Sequence, residues 1–444
     1  MAETENAPTR RGFLRNLHRN LSFWVLVAGV LGYVAATTLG DRSWPTMAEP
    51  PPMYELVLLL KDTFISALRL LVAPVVFFSL IGGLLGLGDA TRLRKIGTVA
   101  IGYYVATTFI AICIGLFVVT FIHPWENSGL TLSVDDIAAA QQASGDPPPV
   151  LIDAGSDSVI RILHGMLGTA LSNPFGALAD LNILAIVTNA FLAGFALILV
   201  VPKDSPLITG VEHANMIISK VLSWVLLFTP LGIFGIVFDF SLRAGGELFT
   251  ELLSFSAVVF GATMFHGLVV LPTLGWFFGR VNPLHFLRHA GAPLLVALTT
   301  SSSSAALPVT IATCEERFGV SKGVSGFVLP LGATMNMDGT ALFEGVAAVF
   351  LAYLFGIELS GASLVAVFLM TIVSSVGAPG MPSGSISGMQ MVMLAVGIPL
   401  EAIGILMVIE RPLDTFRTAV NVEGDMIGAL ITQRRLNKLE AEGG

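Results

Sequence analysis

Hydrophobic residues form six long runs in the first 280 positions of the chain. A helix needs roughly 20 predominantly apolar residues to cross the hydrocarbon core of a bilayer, and most of these runs reach that length. The runs predict continuous helices at 23–39, 54–87, 97–122, 159–202, 214–242 and 252–279. The fourth run is too long for one simple crossing. No small-residue cleavage motif follows the first run, so we expect a retained helix rather than a signal peptide.

The pattern changes after residue 280, where three polar or glycine-rich breaks separate shorter apolar runs. The breaks lie at Thr299–Ser304, Asn336–Thr340 and Gly377–Gly384. Backbone that is not helical at membrane depth needs partners from protein or from a water-filled cavity. The apolar runs beside the first and third breaks have about 10 residues each, too few to span. They predict two re-entrant helical hairpins that enter from opposite sides as an inverted pair.

Composition supports a membrane protein and excludes an ordinary soluble enzyme. Hydrophobic residues are 54% of the 444 residues and charged residues 12%, with a mean hydropathy of +0.81. The two cysteines, Cys113 and Cys314, are too few and too separate for a disulfide framework or a metal cluster.

The distribution of charge predicts the orientation in the membrane better than the net charge of -8. The loop at 123–158 has six carboxylates and no lysine or arginine, whereas basic residues precede the first run and fill later connections and the tail. The positive-inside rule then places both termini in the cytoplasm and the acidic loop outside. We therefore expect an even number of crossings.

The last apolar run contains a polar face made by Asp414, Arg417, Thr418, Asn421 and Asp425, because their spacing matches successive helical turns. Ionisable groups at membrane depth are costly and mark functional sites. Asp414 would bind an ammonium group, and Arg417 a side-chain carboxylate in a bidentate pair. The α-carboxylate would bind hairpin-tip amides and helix N-termini. The alternative is an inert salt bridge between Asp414 and Arg417.

The second break presents backbone carbonyls, an amide and the Asp338 carboxylate at one depth, which are oxygen ligands suited to sodium. The alternative is a kink in which Asp338 only caps the following helix. Glu344 lies four residues beyond the break and is a candidate proton carrier, because a desolvated carboxyl favours its protonated form. The alternative is a buried glutamate bonded to a neighbour.

Three further features are less specific. A serine-rich tip is often only a solvated turn. His266 could relay protons, but a packing histidine is the simpler interpretation. Lys61 is expected to extend toward the membrane surface or to pair with a lipid headgroup.

Four motifs occur in order: Ser301–Pro308 (SSSSAALP), Asn336–Thr340 (NMDGT), Gly377–Pro382 (GAPGMP), and Asp414–Asn421 (DTFRTAVN) followed by Asp425. Through them the chain resembles a prokaryotic member of the glutamate/aspartate and dicarboxylate:cation symporter family, which includes the excitatory amino acid transporters. The resemblance covers residues 20–433.

The resemblance implies an all-α polytopic membrane protein with eight transmembrane helices, two re-entrant helical hairpins, inverted repeats and an elevator mechanism, assembled as a homotrimer. A transport domain would move against a scaffold. The implied divisions are a cytoplasmic tail at 1–20, scaffold helices 1 and 2 at 21–95, transport-domain helix 3 at 96–122, the extracellular acidic loop at 123–158, scaffold helices 4 and 5 at 159–245, the main transport domain at 246–433, and a cytoplasmic tail at 434–444.

The resemblance also implies site residues by motif position. Substrate would contact Ser303, Thr340, Met381, Ser385, Asp414, Arg417, Thr418 and Asn421. One sodium site would use Gly332, Asn336, Asn421 and Asp425; a second would use backbone oxygens of Thr334, Met337, Ser375, Val376 and Ala378; a third would use Tyr104, Thr107, Thr108, Asn336 and Asp338.

The chain departs from the family pattern at several positions. Glu344 replaces the glutamine of purely sodium-driven members and resembles the glutamate of proton-moving branches. Glu410 stands where aspartate is common, and Ser385 where glycine is usual. Ser301 stands where some prokaryotic members have arginine, and Arg411 supplies a positive charge in the last helix instead. Pro379 and Ser385 also change the outer hairpin relative to the family pattern.

We therefore expect a symporter in the cell inner membrane that takes up L-aspartate or L-glutamate with sodium. Protons and potassium are candidate further ions. We expect no cofactor, no nucleic-acid partner and no enzymatic activity. Two alternatives remain: a substrate-gated anion channel or sensor on the same scaffold, and an intramembrane serine hydrolase. The hydrolase would need a base for Ser303 or Ser385, and the histidines within the predicted spans are His164 and His266.

Overall fold

The structure is a computed structural model that describes most of the chain. The described residues are 21–47, 49–85, 96–122, 125, 159–179, 182–202, 204–244, 247–377, 385–395, 398 and 402–443. These residues form helices and include no strand, which confirms the predicted all-α class. The predicted N-terminal tail lies outside the described residues, as does nearly all of the acidic loop.

Eighteen α-helices cover the described residues and are numbered in chain order. They are α1 (Leu21–Leu39), α2 (Pro52–Leu85), α3 (Thr98–Phe121), α4 (Val159–Ala170), α5 (Pro174–Ala179), α6 (Ile183–Val200), α7 (Pro206–Leu227), α8 (Thr229–Ala244), α9 (Glu247–Phe265), α10 (Leu271–Leu274), α11 (Pro283–His289), α12 (Gly291–Thr300), α13 (Ser303–Phe318), α14 (Lys322–Met335), α15 (Asp338–Leu354), α16 (Gly361–Gly377), α17 (Ser385–Ala395) and α18 (Ile403–Gly443).

Two of the predicted continuous runs are divided, so the expectation of unbroken helices there is wrong. The fourth run contains α4, α5 and α6, and Asn182 caps α6 by accepting a bond from the Ala185 amide at 3.1 Å. The fifth run divides at Phe228 into α7 and α8, which are bent by 51°. Prolines explain both divisions: Pro174 begins α5 and Pro230 lies in the first turn of α8, and proline favours helix starts over helix interiors.

The sixth predicted run is one continuous helical path, but it contains two π-helical turns. They cover His266–Val270 and Gly275–Gly279 on either side of α10. A π-helical turn rotates the following side chains relative to a regular helix and is frequent at functional sites.

Three stretches of the described chain are long and apolar enough to cross a membrane: Thr98–Phe121, Phe249–Gly279 and Lys322–Leu354. The bent pair of α7 and α8 is a fourth candidate. Eight crossings remain a prediction.

Helical pairs occur where both hairpins are predicted. α12 packs against α13 across Ser301 and Ser302, and Ser301 has a left-handed backbone with a φ of 50°. α16 packs against α17, and the tip that joins them lies outside the described residues. Re-entry of these pairs into the membrane remains a prediction.

The last helix, α18, lies at the centre of the packing around the polar residues. It contacts α3, α12, α13, α14, α15 and α17, and α15 is buried along nearly its whole length. α2 and α8 form a second packed group with α1, α6 and α7. The division into transport and scaffold domains is consistent with this grouping and stays a prediction.

Lys61 on α2 does not behave as expected from the sequence. Its Nζ lies 2.7 Å from Asp239 Oδ2 on α8, and Asp239 also accepts bonds from Arg243 and Tyr54. We call these four residues the α2–α8 charge cluster. The expectation that Lys61 serves a headgroup or the membrane surface is therefore wrong, because an internal carboxylate binds it.

Candidate functional site

Asp338 begins α15 directly after the break in the helical path, and its carboxylate is held from two sides. Thr108 Oγ1 donates to Asp338 Oδ1 at 2.7 Å, and Thr107 Oγ1 lies 3.4 Å from the same oxygen. His266 Nε2 lies 3.1 Å from Asp338 Oδ2. Met337, at the N-cap of α15, makes no side-chain cap bond. The carboxylate therefore faces α3 and the first π-helical turn.

Asn336, in the break itself, connects two of the implied sodium sites. Its Nδ2 donates to Asp425 Oδ1 at 3.0 Å and to the Asn421 carbonyl at 3.2 Å. Its Oδ1 lies 3.4 Å from Thr107 Oγ1. The first and third implied ligand sets are therefore neighbours that share Asn336, and their oxygen atoms suit a hard cation such as sodium.

Gly332 lies against the first of these sets. A methyl group added at Gly332 would overlap Asp425 Oδ1 and lie 2.7 Å from the Tyr104 hydroxyl. Tyr104 donates to the Val328 carbonyl at 2.9 Å. Glycine here allows the backbone of α14 to approach Asp425 closely.

The second implied sodium set is only partly described. Met337 Sδ accepts a bond from Asn421 Nδ2 at 3.3 Å, and α14 packs against α16, the helices that carry Thr334 and Ser375. The hydroxyls of Thr334 and Ser375 bond to carbonyls of their own helices. Val376 lies in the last turn of α16, and Ala378 lies outside the described residues.

Arg417 is fully buried on α18 and is shared by two carboxylates. Its NH2 atom donates to Glu410 Oε1 at 2.8 Å and to Asp414 Oδ1 at 3.1 Å. Its Cζ lies 4.0 Å from the centroid of the Phe343 ring, a cation–π contact. Its Nε and NH1 atoms have no hydrogen-bond partner among the described residues. A buried guanidinium with unused donors is prepared to bind a carboxylate.

Other implied substrate residues lie on α18 or bond to it. Asn421 Nδ2 lies 3.3 Å from Thr340 Oγ1, and Asn421 Oδ1 accepts from the Gly339 amide at 2.8 Å. Ser385 Oγ donates to Glu410 Oε1 at 2.9 Å. Thr418 is buried on the same helix. Met381 lies outside the described residues.

The serine-rich tip lies beside α18 rather than in solvent. Ser301, Ser302 and Ser303 are buried, and the tip packs on α18 through Ala297, Ala306 and Val422. Ser302 caps α13 by accepting from the Ala305 amide at 3.2 Å. The tip therefore supplies a helix N-terminus near the polar face of α18, as an α-carboxylate site requires.

Glu344 is completely buried on α15. Its Oε2 accepts a bond from Ser374 Oγ at 2.5 Å, and its Oε1 has no partner among the described residues. A methyl group added at Gly388 on α17 would overlap both Ser374 Oγ and Glu344 Oε1. The residue is thus bonded to a neighbour, as one sequence interpretation expected, and it also retains an unused oxygen.

The sequence only weakly predicts a role in this site for two residues. His266, the first residue of a π-helical turn, contacts Asp338. Glu410 contacts Arg417 seven residues later, and a separation of seven residues on a helix was an available signal that both lie on one face.

The sequence model of the sodium:dicarboxylate symporter family matches residues 21–435. The chain belongs to this family. As a member it is an integral membrane protein of a sodium-coupled amino acid transporter family and not an enzyme.

The curated relatives of this symporter carry two kinds of names. Neutral amino acid transporter B(0) of Homo sapiens is 31% identical over 96% of this chain and 82% of its own length. Excitatory amino acid transporter 3 of Mus musculus is 30% identical over 97% of this chain and 88% of its own length. A putative sodium-dependent excitatory amino acid transporter of Caenorhabditis elegans, glt-4, is 31% identical over 86% of this chain and 83% of its own length. Family membership therefore leaves the substrate class to be argued from the symporter's own residues.

Proposed function

We propose that this symporter takes up acidic amino acids, L-aspartate or L-glutamate, driven by a sodium gradient. The observation that carries the proposal is Arg417, whose buried guanidinium has two nitrogen atoms without a partner among the described residues. A carboxylate on the substrate side chain would satisfy them, while Asp414 on the same helix would bind the substrate ammonium group.

Neutral amino acids are the second candidate substrates. The Arg417 NH2 atom is already bonded to Glu410 and Asp414, so part of the guanidinium's charge is compensated inside the protein. Relatives with 31% identity are also named for neutral amino acids. The two candidates differ in one requirement: only an acidic side chain needs Arg417.

Sodium would bind among Asn336, Asp338, Asn421 and Asp425, supported by the oxygen atoms that these residues bring together. Glu344 would carry a proton, supported by its burial and its unused Oε1. We further propose eight crossings, an elevator movement, a homotrimer and a cell inner membrane location with both termini cytoplasmic. The packing of α1, α2, α6, α7 and α8 mainly on one another, with contacts from α1 and α8 to α18, supports a scaffold.

The test is uptake by the purified protein in liposomes with an imposed inward sodium gradient. We expect accumulation of labelled aspartate or glutamate that exceeds that of serine and alanine and that stops when sodium is equal on both sides. Proton and potassium gradients are then varied one at a time. Accumulation of serine or alanine without any aspartate or glutamate would replace the first candidate by the second.

A further inference from the structure

Glu410 is the carboxylate nearest to Arg417, although Asp414 is closer in sequence. Glu410 Oε1 lies 2.8 Å from Arg417 NH2, against 3.1 Å for Asp414 Oδ1. All three side chains are almost fully buried, with exposed fractions of 2% for Glu410, 7% for Asp414 and 1% for Arg417. Two buried carboxylates therefore accept hydrogen bonds from the same nitrogen atom of one guanidinium.

Ser385 binds the same Glu410 oxygen from another helix. Its Oγ donates to Glu410 Oε1 at 2.9 Å and lies 3.4 Å from Arg417 NH2. Ser385 is the first residue of α17, whereas Glu410 and Arg417 are on α18. The hydroxyl proton of Ser385 is thus engaged by Glu410, and Ser385 acts on Arg417 through that carboxylate.

The consequence for Arg417 follows from the competition between the two carboxylates. Asp414 and Arg417 are three residues apart on one helix, a spacing at which an ion pair forms readily. If Asp414 were the only carboxylate on Arg417, the guanidinium would be free to close on it in a bidentate pair. That pair would withdraw Arg417 from a substrate carboxylate and Asp414 from a substrate ammonium group at the same time. Glu410, itself bonded by Ser385 of α17, opposes this closure by also accepting a bond from NH2.

We propose that Ser385 and Glu410 form a coupled positioning pair that keeps Arg417 from closing on Asp414 and so determines selectivity for an acidic side chain. The inference rests on the proposed function. Because the structure places these two side chains in contact, the hydroxyl steadies the longer carboxylate on the arginine.

The test measures KM and maximal rate of uptake in liposomes for aspartate and for serine. It compares the wild type with three single variants, Glu410→Gln, Ser385→Ala and Glu410→Asp, and with the double variant that combines Ser385→Ala and Glu410→Gln. Losing the charged bond in Glu410→Gln should raise the KM for aspartate about 10-fold or more. The KM for serine should rise less, because closure of Arg417 on Asp414 takes one contact from serine, the Asp414 carboxylate, but two contacts from aspartate, Asp414 and Arg417. Ser385→Ala should raise the aspartate KM about 3-fold, and Glu410→Asp should retain part of the wild-type aspartate preference because it keeps the charge.

The double variant tests the coupling itself. If Ser385 acts only through Glu410, adding Ser385→Ala to Glu410→Gln should change the KM ratio of aspartate to serine little further. Thr415→Ala is the matched control, because its hydroxyl lies on α18 near the same residues but bonds to the Pro412 carbonyl of its own helix at 2.8 Å. Its KM ratio should equal that of the wild type.

The outcomes separate the two proposals. A wild-type protein that does not take up aspartate contradicts the proposed function. If the wild type takes up aspartate and Glu410→Gln has the same ratio of aspartate KM to serine KM as the wild type, the positioning pair is contradicted. If Glu410→Gln does not fold, Ser385→Ala decides by itself, because it removes only one hydroxyl; an unchanged ratio there refutes the pair.

Discussion

The α2–α8 charge cluster and the group around Arg417 use the same arrangement with the signs reversed. In the first, one carboxylate, Asp239, is shared by Lys61 at 2.7 Å and Arg243 at 2.9 Å. In the second, one guanidinium, Arg417, is shared by Glu410 at 2.8 Å and Asp414 at 3.1 Å. The Arg417 group is almost fully buried, whereas the first group has a buried Asp239 with a partly buried Lys61 and a more exposed Arg243.

The two groups differ in whether every hydrogen-bonding atom of the shared charged group has a partner. Both oxygens of Asp239 are bonded, Oδ1 by Arg243 and Tyr54 and Oδ2 by Lys61. Arg417 keeps Nε and NH1 without partners among the described residues, although it is more deeply buried than Lys61 or Arg243. Leaving donors of a buried charge unused is costly. The Asp239 carboxylate is therefore fully bonded, whereas Arg417 keeps the donors that the proposed substrate carboxylate would need.

Of the variants proposed here, Arg417→Cys should change substrate uptake the most. We expect the loss of aspartate and glutamate uptake, by more than about 100-fold, because a bidentate charge-assisted pair with the substrate is lost. Uptake of serine or alanine should persist. Labelled uptake in liposomes measures both.

The matched control for that variant is Arg243→Cys, which removes an arginine from the α2–α8 charge cluster. It should lower thermal stability without changing the ratio of acidic to neutral substrates. Wild-type aspartate uptake by Arg417→Cys would show that Arg417 does not bind the substrate side chain.

Gly332→Ala tests a third buried charge, Asp425, which accepts from Asn336 but has no cation in contact among the described side chains. The added methyl group would overlap Asp425 Oδ1. We expect the sodium concentration for half-maximal uptake to rise about 10-fold, as for the loss of one charge-assisted contact. Gly326→Ala on the same helix is the control, because its added methyl group meets no atom within 4 Å. Equal sodium curves for the two variants would exclude Asp425 as a sodium ligand.

Asp239→Asn should break the α2–α8 charge cluster. Lys61 and Arg243 would then share a neutral amide in partly buried positions, and breaking a buried pair costs up to about 3–5 kcal/mol, less where solvent screens the charges. We expect a lower melting temperature in detergent, with unchanged KM values for aspartate and sodium. A changed substrate preference would mean that this cluster is coupled to the binding site.

Glu344→Gln should have the smallest effect on uptake itself. The amide can still accept the bond from Ser374, so the fold should be preserved. We expect sodium-driven uptake to continue while the accompanying proton movement disappears, which a pH-sensitive dye inside the liposomes reports. An undiminished pH signal would assign the proton to another group.

Much of the fold could be predicted because membrane depth imposes strong local rules. The break at Asn336 and the one-sided face of Asp414, Arg417 and Asn421 follow from spacing and from the cost of polar groups in hydrocarbon. The divisions of the fourth and fifth runs were missed, although Pro174 and Pro230 were available signals. Hydropathy describes a stretch of chain and carries no information on where a helix bends within it.

Contacts between distant segments could not be predicted from local pattern. Lys61 was assigned to the membrane surface because its partner, Asp239, is 178 residues away. The sequence favours a packing role for His266, because its contact with Asp338 spans 72 residues. The sequence gives Ser385 as an implied substrate contact and Glu410 only as a departure from the family pattern, and it gives no sign of the bond between them.

The sequence by itself determined that the chain is helical and membrane-embedded, and which charged side chains must be kept away from lipid, because hydrophobic runs and helical spacing are local properties. Only the tertiary structure decided which of those charges are already satisfied. That depends on the partners that α2, α8, α17 and α18 bring together. A buried charge whose hydrogen bonds are all made stabilises the fold, whereas a buried charge with unused donors is a candidate to bind a ligand.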